Sequence, residues 1–170
     1  MSDSIGHIFA FLGGIFLLFF LPVLVLTRES DIVSQNVIDN AVVEFTDNAR
    51  GTGVITADAF EKMVRKIDAV QPNCVITITH ESKYAILNGS NVETHYRHYN
   101  KMEILETIYP PGGPVSKYEM KNGDGLTVTV YNSSPTLATR FYRIIAPGSN
   151  PKGITIYSNH SGMVGNNPQY

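Results

Sequence analysis

The sequence lacks tryptophan, has a single cysteine (Cys74), and carries few charged residues, which make up 16% of its 170 positions. One cysteine excludes an intrachain disulfide. We expect Cys74 to be a small buried residue ahead of a strand, with a thiol that pairs two chains as the alternative. The formal net charge of −2 and the lack of a polybasic run argue against nucleic acid and against electrostatic binding of anionic lipid.

Known catalytic motifs are also missing. The chain has no G-x-S-x-G, S-x-x-K, P-loop or G-x-G-x-x-G sequence. The segment Asn122–Gly125 is too short for a calcium loop, which needs acidic residues at alternate positions and a closing glutamate. The sequence therefore predicts a protein that is not an enzyme and that needs no cofactor.

The most apolar stretch runs from Ile5 to Leu26 and contains no acidic residue, lysine or arginine. As a helix it would be about 33 Å long, which matches the hydrocarbon core of a bilayer. A cleaved signal would have a basic start and a small-x-small site, but the chain begins MSDS and continues after Leu26 with TRESD. The pattern favours a retained transmembrane helix over a signal or a very apolar buried helix.

A second helical pattern follows the apolar stretch, from Asp31 to Asn48, with apolar residues at i, i+4 spacing. No proline or glycine lies between Pro22 and Gly51, so the two patterns can form one rod from Ile5 to about Ala49. The apolar stripe of the second half should rest on the rest of the chain or on a neighbouring rod.

Small and aromatic residues on this rod are candidates for packing against other copies or membrane partners. Gly13 and Gly14 allow two helices to approach closely, and Ala10 with Gly14 forms a small-xxx-small pair. Pro22 can kink the helix near its end. The candidate packing residues are Gly6, Ala10, Gly13, Gly14, Phe16, Phe20, Pro22, Val33, Val37, Ala41 and Phe45.

The remaining chain predicts a small domain with short helices and strands. Thr56 is placed to cap a helix, and β-rich runs at Val75–His80 and Leu126–Tyr131 predict strands. We expect Asn122–Gly125 to turn a hairpin between Lys117–Met120 and Leu126–Tyr131. The other predicted elements are a helix at Thr136–Ile145 that buries Leu137, Phe141 and Ile144, and a last strand at Ile154–Asn159. The fold class is therefore α+β, with a long hydrophobic helix in residues 1–50 and an α+β domain in residues 51–170.

The segment from Ser90 to Tyr109 is ambiguous. Ser90 and Glu93 fit a capping box, whereas the run ETHYRHY fits a strand; the half from about Met102 to Tyr109 favours a helix. On a helix, His95 and His98 would share a face and could bind a metal, with His80 or Glu81 as a third ligand if the fold brings them close. Solvated polar residues beside tyrosines are the favoured interpretation, and no metal site is predicted.

Three stretches together resemble a known group of proteins. They are DIVSQ to AVVEF (Asp31 to Phe45), TGVITADAF (Thr52 to Phe60), and the pattern from GDGLTVTV through TLATR to SGMV (Gly123 to Val164). This combination resembles small membrane-anchored proteins that accompany Tad-type (type IV-like) pilus and secretion genes in Gram-positive bacteria. The resemblance implies a pilin-like part whose N-terminal helix packs with copies of itself or with platform proteins of the membrane.

The resemblance does not extend to a prepilin cleavage site. Such sites carry a glycine followed five residues later by glutamate, whereas here Phe11 follows Gly6 and Phe19 follows Gly14 at that offset. The functional prediction is a structural subunit or accessory component of a Tad-like pilus or secretion apparatus, in the lipid bilayer with its C-terminal domain outside the cytoplasm. The alternative is a membrane-tethered, adhesin-like binding module that does not polymerise.

Overall fold

The structure is a computed structural model that describes residues 2–88, 91–146 and 156–165. It contains four helices and six strands in these ranges, which confirms the α+β class. The elements are α1 (Ser2–Thr52), β1 (Val54–Thr56), α2 (Ala57–Val70), β2 (Cys74–Asn88), β3 (Asn91–Asn100), α3 (Lys101–Ile108), β4 (Lys117–Glu119), β5 (Gly125–Asn132), α4 (Leu137–Ile145) and β6 (Tyr157–Met163). The predicted rod is thus a single helix, α1, with Pro22 inside it.

The chain forms two compact units. Unit 1 comprises residues 1–34 and 135–155, and unit 2 comprises residues 35–134 and 156–170. The second half of α1 belongs to unit 2 and supplies side chains to its core. Unit 1 holds the apolar half of α1 together with α4.

Unit 2 is built on an antiparallel sheet in the order β3-β2-β5-β6, beside a two-stranded pair of β1 and β4. The inward residues of β2 and β5 alternate along each strand, as the strand period requires. Helices α1, α2 and α3 contribute the other side of one continuous core. The core residues include Ile38, Ala41, Val42, Phe45, Ala49, Met63, Ile67, Ile76, Ile78, Ile104, Ile108, Leu126, Val128 and Val130.

The helix starts follow from local hydrogen bonding. The Thr56 hydroxyl accepts from the Ala59 N–H, which confirms the predicted cap of α2. A capping box does exist in the ambiguous segment, but it lies at Asn100 and Glu103 rather than at Ser90 and Glu93. It begins α3, so the prediction of a helix from about Met102 is confirmed.

Strand β3 and the connections around it correct two expectations. The run ETHYRHY is a strand, and the helical alternative was wrong because these residues pair along β2 from Thr79↔Asn100 to Asn88↔Asn91. The hairpin expected at Asn122–Gly125 was also wrong. Strand β4 pairs with β1, and β5 pairs with β2 and β6, so this segment joins two different sheets.

A two-stranded arm extends from the sheet, formed by residues 82–88 of β2 and 91–97 of β3. Pairing of β2 with β5 ends at Glu81↔Gly125, so the arm has no third strand among the described residues. It exposes several apolar side chains, namely Tyr84, Ile86, Leu87, Val92 and Tyr96. We call this part of the molecule the hairpin arm.

Helix α4 confirms the helix predicted near Thr136–Ile145 but corrects its buried face. Leu137 and Ile144 are 60% and 72% exposed, and the buried residues are Ala138 and Thr139. The helix instead turns Phe141 towards α1, where its ring lies 5.8 Å from that of Phe20. The last predicted strand is present as β6, although Ile154 and Thr155 lie outside the described residues.

Arg50, near the end of α1, packs its side chain against β6. The guanidinium group occupies the space that a side chain at Gly162 would need. The Arg50 Nε–H donates to the carbonyl of Met163, and a Cβ added at Gly162 would lie 2.3 Å from Arg50 Cζ. We expect Gly162→Ala to displace this side chain and to lower the free energy of unfolding by about 1 kcal/mol, the value of one hydrogen bond.

A double-mutant cycle read by chemical denaturation checks this prediction. In an Arg50→Ala background, Gly162→Ala should be nearly neutral, because the side chain it displaces is gone. An equal loss of unfolding free energy in both backgrounds would contradict this explanation. It would mean that the cost of Gly162→Ala arises within β6 and not from displacement of Arg50.

Candidate functional site: the apolar half of α1

Most side chains in the apolar half of α1 are exposed. Phe9 and Phe11 are each 71% exposed, and Leu18 is 70% exposed. Among the described residues, this helix is the one long and apolar enough to cross a membrane, as judged by length and composition. Such a surface is unfavourable in water, since burial of each large apolar side chain is worth roughly 1.5–3 kcal/mol.

The small residues predicted for helix packing lie on this exposed half. Gly6, Ala10, Gly13 and Gly14 are exposed, and a Cβ added at any of the three glycines would meet none of the described residues within 4 Å. Helical spacing brings these four residues to one side of α1. That side therefore offers a close approach to another helix or to lipid.

The aromatic candidates differ in their surroundings. Phe16 and Phe20 stack with ring centroids 4.2 Å apart, and Phe20 also meets Phe141 of α4. Phe16 remains 52% exposed, whereas Phe20 is half-buried. Part of the predicted packing surface is thus covered from within unit 1.

The candidate stripe in the second half of α1 is divided by burial. Val33 is exposed and Val37 is half-buried, whereas Ala41 and Phe45 are buried in the core of unit 2. The ring of Phe45 packs edge-on against Phe60 of α2 at 6.4 Å. The stripe was expected to pack either on the rest of the chain or on a neighbouring rod. Its residues Ala41 and Phe45 pack on the rest of the chain, in unit 2.

The two histidines considered as metal ligands, His95 and His98, both lie on strand β3 and do not share a face. His95 and His98 are three residues apart on β3 and point to opposite faces of the sheet. His95 stacks on Tyr84, and His98 Nδ1 lies 3.6 Å from a carboxylate oxygen of Glu81. Within the described ranges, no three His, Cys, Asp or Glu residues form a group that could hold a metal ion.

A buried polar cluster was missed from the sequence. His80 Nε2 lies 2.9 Å from Asp124 Oδ2, and His80 Nδ1 lies 2.7 Å from the Tyr118 hydroxyl. The Asp124 carboxylate also accepts the backbone N–H groups of Lys121 and Lys83. These contacts join β2, β4 and the segment before β5, and Tyr99 stacks on the imidazole.

The charges in this cluster follow from its contacts. Burial acts to raise the pKa of Asp124, but the Lys121 N–H, the His80 ring and the Lys83 N–H outweigh it and lower that pKa below its ordinary value. Burial, reinforced by Tyr99 and Asp124, raises the pKa of Tyr118 to about 12. Because a carboxylate only accepts hydrogen bonds, His80 Nε2 carries a proton.

The cluster is buried and its polar groups bond to one another, which is typical of a stabilising hydrogen-bond network. His80 and Asp124 are 3% and 2% exposed, so no substrate can reach them in this conformation. Asp124 lies in the NGDG segment and His80 ends VITITH, so the sequence offered only turn composition and a strand end as signals. The cluster fixes the crossing between the two sheets, where the hairpin had been predicted.

Cys74 is the first residue of β2 and is half-buried. Burial and the nearby Asp68 raise the pKa of its thiol, which disfavours the reactive thiolate. We expected a buried residue ahead of the strand, whereas Cys74 is half-buried and is itself the first residue of the strand.

On the exposed side of unit 2, Glu44 of α1 accepts hydrogen bonds from Lys62 and Lys66 of α2. These two lysines lower the pKa of Glu44 to about 2. The pair of ion contacts links the second half of α1 to α2 at the surface, where screening by solvent keeps their contribution modest.

Comparison of the chain with protein families, curated proteins and solved structures finds no match.

Proposed function

We propose that this chain is a single-pass membrane protein that acts as a structural subunit or accessory component of a Tad-like, type IV-like pilus or secretion apparatus. The observation that carries the proposal is the contrast within α1. One side of its second half packs into the core of unit 2, whereas the side chains of residues 6–19 are exposed without interruption. A helix divided in this way attaches a folded domain to an apolar environment that the domain does not supply.

Lipid and neighbouring helices can both supply that environment. In the bilayer, acyl chains cover the apolar half of α1, and in an assembly the same surface packs against copies or platform helices. Close packing of membrane helices relies on small residues, which the exposed side with Gly13 and Gly14 provides. The domain outside the cytoplasm is then the part that the assembly displays.

Enlarging a small residue on that side tests the assembly role. We expect Gly13→Leu to reduce cross-linked oligomers of the full chain several-fold in native membranes, because the added side chain separates helices that would pack there. No residue that the structure describes lies within 4 Å of a Cβ at this position, so the folded protein should be unaffected.

Ile8→Phe is the matched control, since it also adds bulk but lies on the opposite side of α1 by helical spacing. It should leave oligomers intact, and both variants should stay in the membrane fraction. Unchanged cross-linking of Gly13→Leu, or an equal loss with Ile8→Phe, would count against packing through the small-residue side.

A second candidate function is a tethered binding module, and the hairpin arm favours it. Leu87 and Val92 pair across the arm and are 77% and 65% exposed, which is unusual for apolar strand residues. A binding module predicts a mainly monomeric protein after gentle detergent extraction. Blue-native electrophoresis and electron microscopy of the extracted protein distinguish this candidate from an assembling subunit.

A further inference from the structure

Helix α4 exposes apolar side chains although it packs beside the apolar half of α1. Leu137 and Ile144 are 60% and 72% exposed, more than many residues of the predicted span itself. The two residues are seven positions apart, so they lie on the same side of α4. An apolar environment on that side would stabilise these side chains relative to water.

Two arginines accompany these aliphatic side chains. Arg140 and Arg143 are both exposed. Arg140 is three residues after Leu137 and four before Ile144, so it lies on their side of α4, and Arg143 borders that side. Arg140 also anchors the start of the helix, where its Nε–H donates to the carbonyl of Pro135. A short helix with an apolar side flanked by arginines is typical of segments that lie in a membrane surface.

The position of α4 along α1 agrees with that interpretation. Its Phe141 ring lies 5.8 Å from Phe20, and Phe20 is six residues before Leu26, the end of the apolar stretch. Six residues correspond to about 9 Å along a helix axis. Interfacial helices bury their apolar side about 5–10 Å into the boundary between headgroups and acyl chains.

An apolar groove runs between the two helices. It has a volume of about 210 Å³ and is lined on one side by Phe16, Phe20 and Leu24 and on the other by Tyr142 and Ile145. None of the described residues that line it is charged. An acyl chain is the occupant that fits such a lining at this depth of a bilayer.

We propose that α4 is an interfacial helix that lies in the membrane surface beside the span. Leu137 and Ile144 contact lipid acyl chains, and Arg140 and Arg143 reach the headgroup phosphates along their own aliphatic stems. This inference rests on the membrane insertion stated in the proposed function, but not on polymerisation. In this proposal the chain contacts the membrane twice: through the span in α1 and, at a shallower depth, through α4 between β5 and β6.

Site-specific fluorescence in vesicles tests the inference. The full chain with Cys74→Ser provides a background in which one introduced cysteine carries a polarity-sensitive label. Labels at Ile144→Cys, Arg143→Cys and Leu12→Cys report the bare side of α4, its polar side and the span. The vesicles are phosphatidylcholine, with or without lipid brominated in the acyl chains.

We expect brominated lipid to quench the label at position 144 several-fold more strongly than the label at position 143, and also to quench the label at position 12. Quenching at 12 without quenching at 144 overturns the inference and leaves the membrane anchor standing. A label at 144 that is shielded from aqueous iodide but not quenched by lipid assigns this side to a second copy instead. Absence of quenching at 12 overturns the anchor of the proposed function.

Discussion

Deletion of residues 5–26 is expected to move the protein from the membrane fraction to the soluble fraction and to abolish its self-association. The physical reason is that this stretch holds most of the exposed apolar surface of α1. Unit 2 should keep its fold, because the described core residues that α1 supplies begin at Ile38.

Flotation on sucrose gradients, cross-linking and thermal unfolding by circular dichroism measure these three outcomes. A matched control replaces residues 5–26 by a leucine-rich span of the same length. It should restore flotation but not cross-linked oligomers, because it lacks the small residues that allow close helix packing. Oligomers formed by the deleted chain, or by the leucine-rich control, would argue that assembly resides in unit 2.

Replacement of the buried carboxylate in the His80 cluster is expected to produce the largest loss of stability. Asp124→Asn keeps the shape but turns an acceptor of three hydrogen bonds into a group that presents N–H donors to other donors. Breaking one partner of a buried ionic or hydrogen-bonded pair costs about 3 kcal/mol. Urea unfolding of the full chain in detergent measures the change, with Asp68→Asn as a control at an exposed position of α2.

The pH dependence of the same variant gives an independent check. The pKa of Asp124 is lowered in the folded protein, so its contribution to stability is fully present above its ordinary value of 3.8. The contribution is lost as the pH falls through the lowered value in the folded state, because the carboxylate must then take up a proton.

The difference in unfolding free energy between wild type and Asp124→Asn should therefore narrow below about pH 4 and be constant above it. A difference that grows on acidification would mean that another group carries the effect. A loss no greater than that of Asp68→Asn would show that the cluster contributes little to stability.

Local features of the fold could be predicted because their causes lie close together in the sequence. The uncharged stretch before Leu26, the cap at Thr56 and the alternation in Leu126–Tyr131 each depend on neighbouring residues alone. The alternation of Ile76 and Ile78 likewise determined which face of β2 enters the core.

Contacts between distant segments could not be predicted in the same way. The pairing of β4 with β1 joins residues about sixty positions apart, and the turn-like NGDG segment favoured a hairpin that does not form. His80 and Asp124 meet only because that hairpin is absent and the chain passes from one sheet to the other. The prediction of which α4 residues are buried was wrong for a similar reason, because the orientation of α4 depends on its contact with Phe20, which is distant in the sequence.

The sequence by itself determined that the chain begins with an uncharged, membrane-length helix and continues as an α+β domain, because hydrophobic period and composition are local properties. The tertiary structure decided which part of that helix packs in the core of unit 2 and which part stays exposed. Burial of Ala41 and Phe45 in unit 2 commits the second half of α1 to its own domain. The first half keeps most of its apolar surface exposed, with α4 lying beside it.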